Sequence, residues 1–241
     1  MNSVLITGVS SGIGLSLAQH YLDNDHRVFG ISRRASPLAG TSSALSEIRL
    51  DLTDADGMPQ ALKKLLGESR QLDLVVLNAG SLGEIRDMQQ TPLADLRRLM
   101  DVNVWANKSL LDSLLGSGIE LRQVIAISSG AAVNGNRGWN GYSISKAALN
   151  MLVQLYAKEC PDIHFAAIAP GLVDTAMQEY LCGLEPDSRF PSLESLRTRR
   201  NTDEMLIPDS IAIRLAKVFE RASELVQSGG FLDIRNVADS V

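Results

Sequence analysis

Apolar positions along the 241-residue chain fall into two alternating patterns. Short β-branched or apolar runs recur as "SVLI", "RVFGI", "EIRL", "LDLVVL", "RQVIAI", "HFAAIA" and, near the end, "GGFLDI". Each has the length of a strand. Between most of them lie stretches of helical period, at Leu15 to Leu22, Met58 to Leu66, Leu93 to Leu115, Tyr142 to Ala157 and Ser210 to Val226. Strand and helix in alternation predict an α/β fold: a doubly wound, mainly parallel sheet with helices on both faces, binding ligands beyond the carboxyl ends of its strands. One segment breaks the alternation. Leu181 to Pro208 is rich in turn formers and charge, and it is expected to be an irregular loop serving as a lid or insertion. With no internal repeat and no low-complexity stretch, residues 1–241 are expected to form a single domain.

Composition narrows the partners. Hydrophobic residues at 45% and charged residues at 21% are near globular averages, so neither disorder nor a membrane class is favoured. A formal net charge of -5, with no long basic run, disfavours nucleic acid and points to small molecules. Cys160 and Cys182 are the only cysteines, without CxxC spacing or a nearby His cluster, so neither a disulfide framework nor a metal site is expected. The N-terminus lacks the charged region of a signal peptide, and no apolar stretch approaches the ~20 residues of a membrane span. A reducing cytoplasm is the expected location.

The first strand hands over to a helix through "TGVSSGIG", Thr7 to Gly14. Gly8, Gly12 and Gly14 permit a tight turn, a close approach of backbone to a diphosphate, and close packing of helix on strand. Ser10 and Ser11 add hydroxyl donors beside Ile13, where the unpaired N–H groups of a helix start favour an anion. The turn is therefore expected to hold a dinucleotide, although glycine-rich turns also occur for structural reasons alone.

The TGxxxGxG spacing, with "DL" at Asp51 and Leu52, "NAG" at Asn78, Ala79 and Gly80, Asn103 in "DVNVW", "ISS" ending at Ser129, "YSISK" from Tyr142 to Lys146 and "PGLVDT" from Pro170 to Thr175, resembles the short-chain dehydrogenase/reductase family over almost the whole chain. The resemblance implies a single doubly wound Rossmann domain on a seven-stranded sheet, and an oxidoreductase using a nicotinamide cofactor. It places Asp51 and Leu52 at the adenine, Asn78, Ala79 and Gly80 beside the adenosine ribose, and Pro170, Gly171, Val173 and Thr175 at the nicotinamide end. The second strand ends "FGISRR", with Ser32 where an acidic residue would grip the ribose hydroxyls of NAD. Arg33 and Arg34 follow, and guanidinium groups suit the 2′-phosphate of NADP, so NADP(H) is the expected cofactor. A solvated basic loop is the competing reading of that pair.

Tyr142 and Lys146, four apart in a helical segment, share one helix face. An ammonium beside a phenol is expected to lower its pKa and let it exchange protons with a carbonyl oxygen as hydride arrives at carbon. Ser128 and Ser129 both end the fifth strand; the resemblance favours Ser129, thirteen residues before the tyrosine, as the group that polarises the carbonyl. It also implies that Asn103 holds a water linking Lys146 to solvent, and that Lys146 binds the nicotinamide ribose. The three histidines, His20, His26 and His164, lie apart from these motifs and receive no role.

Within the family, "GWNGYSISKAAL" looks most like sepiapterin reductase and the related bacterial benzil reductases. An aromatic or vicinal-dicarbonyl substrate is therefore expected, with Trp139 either contacting it or buttressing its loop. The resemblance also implies dimerisation through Leu93 to Leu115 and Tyr142 to Ala157; a homodimer or a monomer is expected, because little chain follows "GGFLDI". Two rivals share the cofactor: a non-catalytic NADP(H)-sensing regulator, which would have little need of Ser129, Tyr142 and Lys146 together, and a nucleotide-sugar epimerase or dehydratase, which usually carries a larger C-terminal domain.

Overall fold

The computed structural model describes residues 2–237. All seven apolar runs become strands of one parallel sheet: β1 (Ser3–Thr7), β2 (Arg27–Ser32), β3 (Leu45–Arg49), β4 (Leu74–Leu77), β5 (Gln123–Ile127), β6 (His164–Ala169) and β7 (Gly230–Asp233), in the order β3-β2-β1-β4-β5-β6-β7. The helices are α1 (Gly12–Asp23), α2 (Met58–Leu66), α3 (Leu93–Met100), α4 (Ala106–Gly116), α5 (Asn140–Glu159), α6 (Ala176–Gly183), α7 (Pro191–Arg199), α8 (Pro208–Glu220) and the short α9 (Ala222–Leu225). The fold is a single-domain Rossmann-like sandwich of helix, sheet and helix.

The two-residue period of a strand explains why its runs are apolar throughout. Leu5, Val75, Leu77, Val124, Ala126 and Phe165 point to one face, where they pack with Leu62, Leu110 and Val153 of α2, α4 and α5. Their neighbours Val4, Ile6, Val76, Ile125 and Ile168 point to the other, against Leu17 of α1 and Leu215 and Phe219 of α8. Because strand order reverses between β1 and β4, the chain leaves these neighbours in opposite directions and opens a crevice above their carboxyl ends.

Two elements differ from expectation. The single helix read over Leu93 to Leu115 is interrupted by a π-helical turn at Asp101–Trp105, which carries Asn103. The wider turn spends one extra residue, and the Asn107 side-chain amide donates to the Asn103 carbonyl at 2.9 Å. The segment Leu181 to Pro208 is not irregular: it includes the end of α6, all of α7 and a short parallel pairing of Met205–Leu206 with Leu172–Val173. Pro191, pre-set for the first turn of α7, and the buried pair Leu193 and Leu196, one turn apart, organise this stretch despite its charge.

Among the described residues, no helix is long and apolar enough to cross a membrane.

Candidate active site

The crevice is a cleft of about 1000 Å³ that runs across the carboxyl ends of the strands. Gly8, Ser10, Ser11, Gly12, Ile13, Ser32, Arg33, Arg34, Asp51, Leu52, Asn78, Ala79, Gly80, Ser129, Tyr142, Lys146, Pro170, Gly171, Val173 and Thr175 all line it. Of the residues singled out from sequence, Gly14 and Asn103 alone are not among the lining, and both act from behind.

The glycine turn is braced from β4. The Thr7 hydroxyl accepts from the Asn78 and Ala79 amides at 2.9 and 3.0 Å, and the Asn78 side chain donates to the Thr7 carbonyl at 2.8 Å. Gly8 adopts φ +80°, which a side chain would strain. A Cβ on Gly14 would collide with the Gly8 carbonyl and the Asn78 amide. Gly14→Ala is therefore expected to destabilise the fold by about 1–3 kcal/mol, lowering Tm by roughly 3–10 °C in a thermal melt. The start of α1 has no acidic residue in its first turn, and the Ser11 side chain does not cap it. Its first N–H groups form a cradle suited to a diphosphate.

The predicted catalytic residues converge at the other end. Ser129 follows β5; its hydroxyl accepts from the Ala131 amide at 3.1 Å, and it lines the cleft together with the Tyr142 phenol. Ser128 also lines the cleft, but its hydroxyl donates its hydrogen to Asn150 Oδ1 of α5 at 2.6 Å. Lys146 is 4% exposed, donates to the Ile127 carbonyl at 2.7 Å and lies 5.8 Å from the Tyr142 ring centre. Asn103 is fully buried: its Oδ1 accepts from the Ser81 amide at 2.7 Å, while its Nδ2 donates to the Ser81 carbonyl at 2.8 Å and to Ser145 Oγ at 2.9 Å. Ser145 in turn donates to the Tyr142 carbonyl at 2.8 Å. Both amide hydrogens of Asn103 are thus spent joining the β4 loop to the turn that carries Tyr142, and the side chain acts as a brace.

A sequence profile of the short chain dehydrogenase family matches residues 2–182. The chain belongs to this family. A benzil reductase ((S)-benzoin forming) of Saccharomyces cerevisiae is 32% identical to this short-chain dehydrogenase over 233 residues, covering 89% of each chain. A benzil reductase ((S)-benzoin forming) of Bacillus subtilis is 28% identical over 246 residues, covering 98% of this chain and 99% of its own. The crystal structure of a short-chain dehydrogenase/reductase from Saccharomyces cerevisiae superimposes with a TM-score of 0.86 at 26% identity, covering 98% and 97% of the two chains.

The electrostatics of this short-chain dehydrogenase depart from the expectation of an acidified phenol. Burial pushes the Tyr142 phenol above its ordinary value, and the Ser129 hydroxyl opposes this only in part. Lys146 lies at the outer edge of effective contact with the ring and is itself desolvated, which pushes its ammonium down to about 8. At neutral pH the phenol keeps its proton and the lysine its charge.

At the far end, the Ser32 hydroxyl donates to the Arg34 carbonyl at 2.6 Å and closes the turn after β2. Arg33 and Arg34 are exposed, and neither forms an ion pair with another described residue. Asp51, whose charge Arg33 senses, is held below the usual carboxylate range chiefly by hydrogen bonds from Thr53. The other arginines lining the cleft are all paired: Arg98 with Asp95 at 2.6 Å, Arg199 with Glu204 at 3.2 Å and Arg235 with Asp233 at 2.6 Å.

Sequence reasoning read Leu181 to Pro208 as a lid but singled out none of the residues within it that face the cleft, and it missed α7. Ser192, Ser195, Leu196 and Arg199 of α7 and Met177 and Leu181 of α6 line the cleft. Leu181, Leu193, Leu196 and Phe190 form an apolar cluster against which Trp139 and Tyr142 pack. The signal that could have found α7 was Pro191 followed by leucines at helical spacing. Trp139 settles into this cluster: its indole N–H donates to Ser192 Oγ at 2.8 Å and its ring lies 6.0 Å from that of Tyr142, so it ties the loop to α7.

Proposed function

We propose that this short-chain dehydrogenase is an NADPH-dependent reductase of neutral, apolar ketones, aromatic or vicinal-dicarbonyl compounds foremost, in which Tyr142 is the general acid. The observation that carries the reading is the convergence of the Tyr142 phenol, Ser129 and buried Lys146 in the cleft that begins at the glycine turn.

The residues present fit a nicotinamide dinucleotide. Gly8, Ser10, Ser11, Gly12 and Ile13 would hold the diphosphate, and Arg33 and Arg34, which have no ion-pair partner among the described residues, a 2′-phosphate. Asp51 and Leu52 would border the adenine, Asn78, Ala79 and Gly80 the adenosine ribose, and Pro170, Gly171, Val173 and Thr175 the nicotinamide end. When bound, this cofactor supplies hydride to the carbonyl carbon. Tyr142, kept protonated by burial, gives its proton to the oxygen that becomes the alcohol, and Ser129 hydrogen-bonds that oxygen as its charge develops. Lys146 has spent one N–H on Ile127 and retains two others for the nicotinamide ribose, while its charge favours the phenolate that Tyr142 becomes. Asn103 keeps the β4 loop and the Tyr142 turn in register through Ser81 and Ser145.

The pairing of Arg98, Arg199 and Arg235 supports a neutral substrate, since each guanidinium already has its carboxylate. The apolar wall formed by Leu181, Leu196 and Trp139 favours an aromatic body. The names of the two relatives agree, both describing benzil reduction to (S)-benzoin. The test follows NADPH oxidation with an aromatic diketone, a 2-keto acid of similar size and a sugar. The diketone is expected to exceed the keto acid in kcat/KM by at least about tenfold, the cost of placing an unpaired carboxylate in an apolar site. A preference for the keto acid would overturn the substrate class. Cofactor binding with no turnover of any carbonyl would overturn the enzyme reading in favour of a sensor.

A further inference from the structure

Two segments beside the substrate end of the cleft lie outside the main sheet and its long helices: the loop 134–139 between Ser129 and Tyr142, whose Asn134, Asn136 and Trp139 line it, and the stretch 184–190, which leads into the lining residues of α7, Ser192, Ser195 and Leu196. Both reach the same carboxylate. Arg137 donates to Asp87 through Nε at 2.6 Å and Nη2 at 2.9 Å, a two-pronged grip on both oxygens. Arg189 donates to Asp87 once, through Nη1 at 3.2 Å. The rest of the Arg189 guanidinium is held within its own turn, where Nη2 and Nε donate to Asp187 at 2.6 and 3.0 Å. It also lies 5.0 Å over the ring of Phe190, which is buried in the apolar cluster beside Tyr142. The segment bearing Asp87 is fixed to the start of α5: Asn140 Nδ2 donates to the Arg86 carbonyl at 2.6 Å and to Thr91 Oγ1 at 2.8 Å, and the Arg86 amide donates to the Gly138 carbonyl at 3.3 Å.

We propose that Asp87 is a positioning residue that mounts the catalytic loop through Arg137 and clasps the lid over the substrate through Arg189. The two grips are unequal, and the inequality sets the order of events. Breaking the single Arg189 contact leaves that guanidinium paired with Asp187 and leaves Asp87 paired with Arg137, so the loop bearing Trp139 stays mounted while the lid keeps only the Trp139 hydrogen bond to Ser192 and the packing of Phe190 to hold it. An exposed ion pair is worth little, which suits a contact broken in every turnover. This inference rests on the proposed carbonyl-reducing role, because it takes 184–199 as the wall a ketone must pass.

The test compares Arg189→Met and Asp87→Asn with wild type, in kinetics with an aromatic diketone and in chymotrypsin cleavage after Leu184. Arg189→Met is expected to raise KM about two- to fivefold with kcat unchanged. Asp87→Asn should raise KM similarly and also lower kcat several-fold, since both segments lose their mount. Cleavage of the 184–190 stretch should quicken about two- to fivefold in both variants, and in wild type at high salt. Unchanged KM and unchanged cleavage in both variants would overturn the clasp, and an equal loss of kcat in the two would overturn the division between mount and clasp. If wild type reduces no carbonyl, the proposed function fails, and the cleavage rates alone decide whether Asp87 holds the lid.

Discussion

Tyr142→Phe is expected to lower carbonyl reduction by about 10²–10⁴-fold, the range for removing a positioned general acid. The dissociation constant for NADPH, read by cofactor fluorescence, should stay within about threefold of wild type, because the N–H groups of the glycine turn and the guanidinium groups of Arg33 and Arg34 are unaltered. The pH profile carries a second signature of the same residues. The phenol lies above its ordinary value and stays protonated across the working range, whereas burial brings the Lys146 ammonium down to about 8. Its charge is present below that pH and is lost as pH rises through it. The free-enzyme kcat/KM for reduction should therefore be level near neutrality and fall above about 8. A Tyr142→Phe enzyme that retained about a tenth or more of wild-type turnover would assign the proton to another group.

Arg33→Ala is expected to weaken NADPH binding by about 10- to 150-fold, corresponding to the ~1.5–3 kcal/mol of charge-assisted hydrogen bonds to a phosphate. NADH, which has no 2′-phosphate, should change by less than about threefold. The contrast follows from the charge map of the cleft: Arg33 and Arg34 are exposed without an ion-pair partner among the described residues, while Arg98, Arg199 and Arg235 are each neutralised. The preference should also decline with salt, since the pair is solvent-exposed. Titration of both cofactors against wild type and variant decides the matter. Equal losses for the two would mean that Arg33 acts on the turn after β2 and not on the phosphate.

The fold was legible because strands buried on both faces write their full length in apolar residues, and each of the seven runs became a strand of the central sheet. The helices were legible where one face packs on that sheet, as in α2, whose ends match the apolar period. Leu93 to Leu115 was read as one helix because a π-helical turn inserts a single residue without disturbing the apolar spacing on either side. The stretch Leu181 to Pro208 was read as irregular for the opposite reason. Its leucines bury against Phe190, Leu82 and Trp139, a small cluster apart from the main cores, so charge and turn formers dominate its local composition.

By itself the sequence determined which chemistries are available: a glycine turn after a strand, a phenol and an ammonium one helical turn apart, a serine at a strand end and two arginines after β2. These depend on short spacings, which the backbone geometry of strands and helices carries directly. Tertiary structure alone decided the rest. Whether Tyr142 is acidified or kept neutral depends on how deeply it and Lys146 are buried, and burial prevailed over the charge. Whether an arginine is free to hold an anion depends on carboxylates brought beside it by the fold. The wall facing Tyr142, and the Asp87 carboxylate reached by residues 137 and 189, join segments far apart in the chain, and no local pattern encodes such long-range meetings.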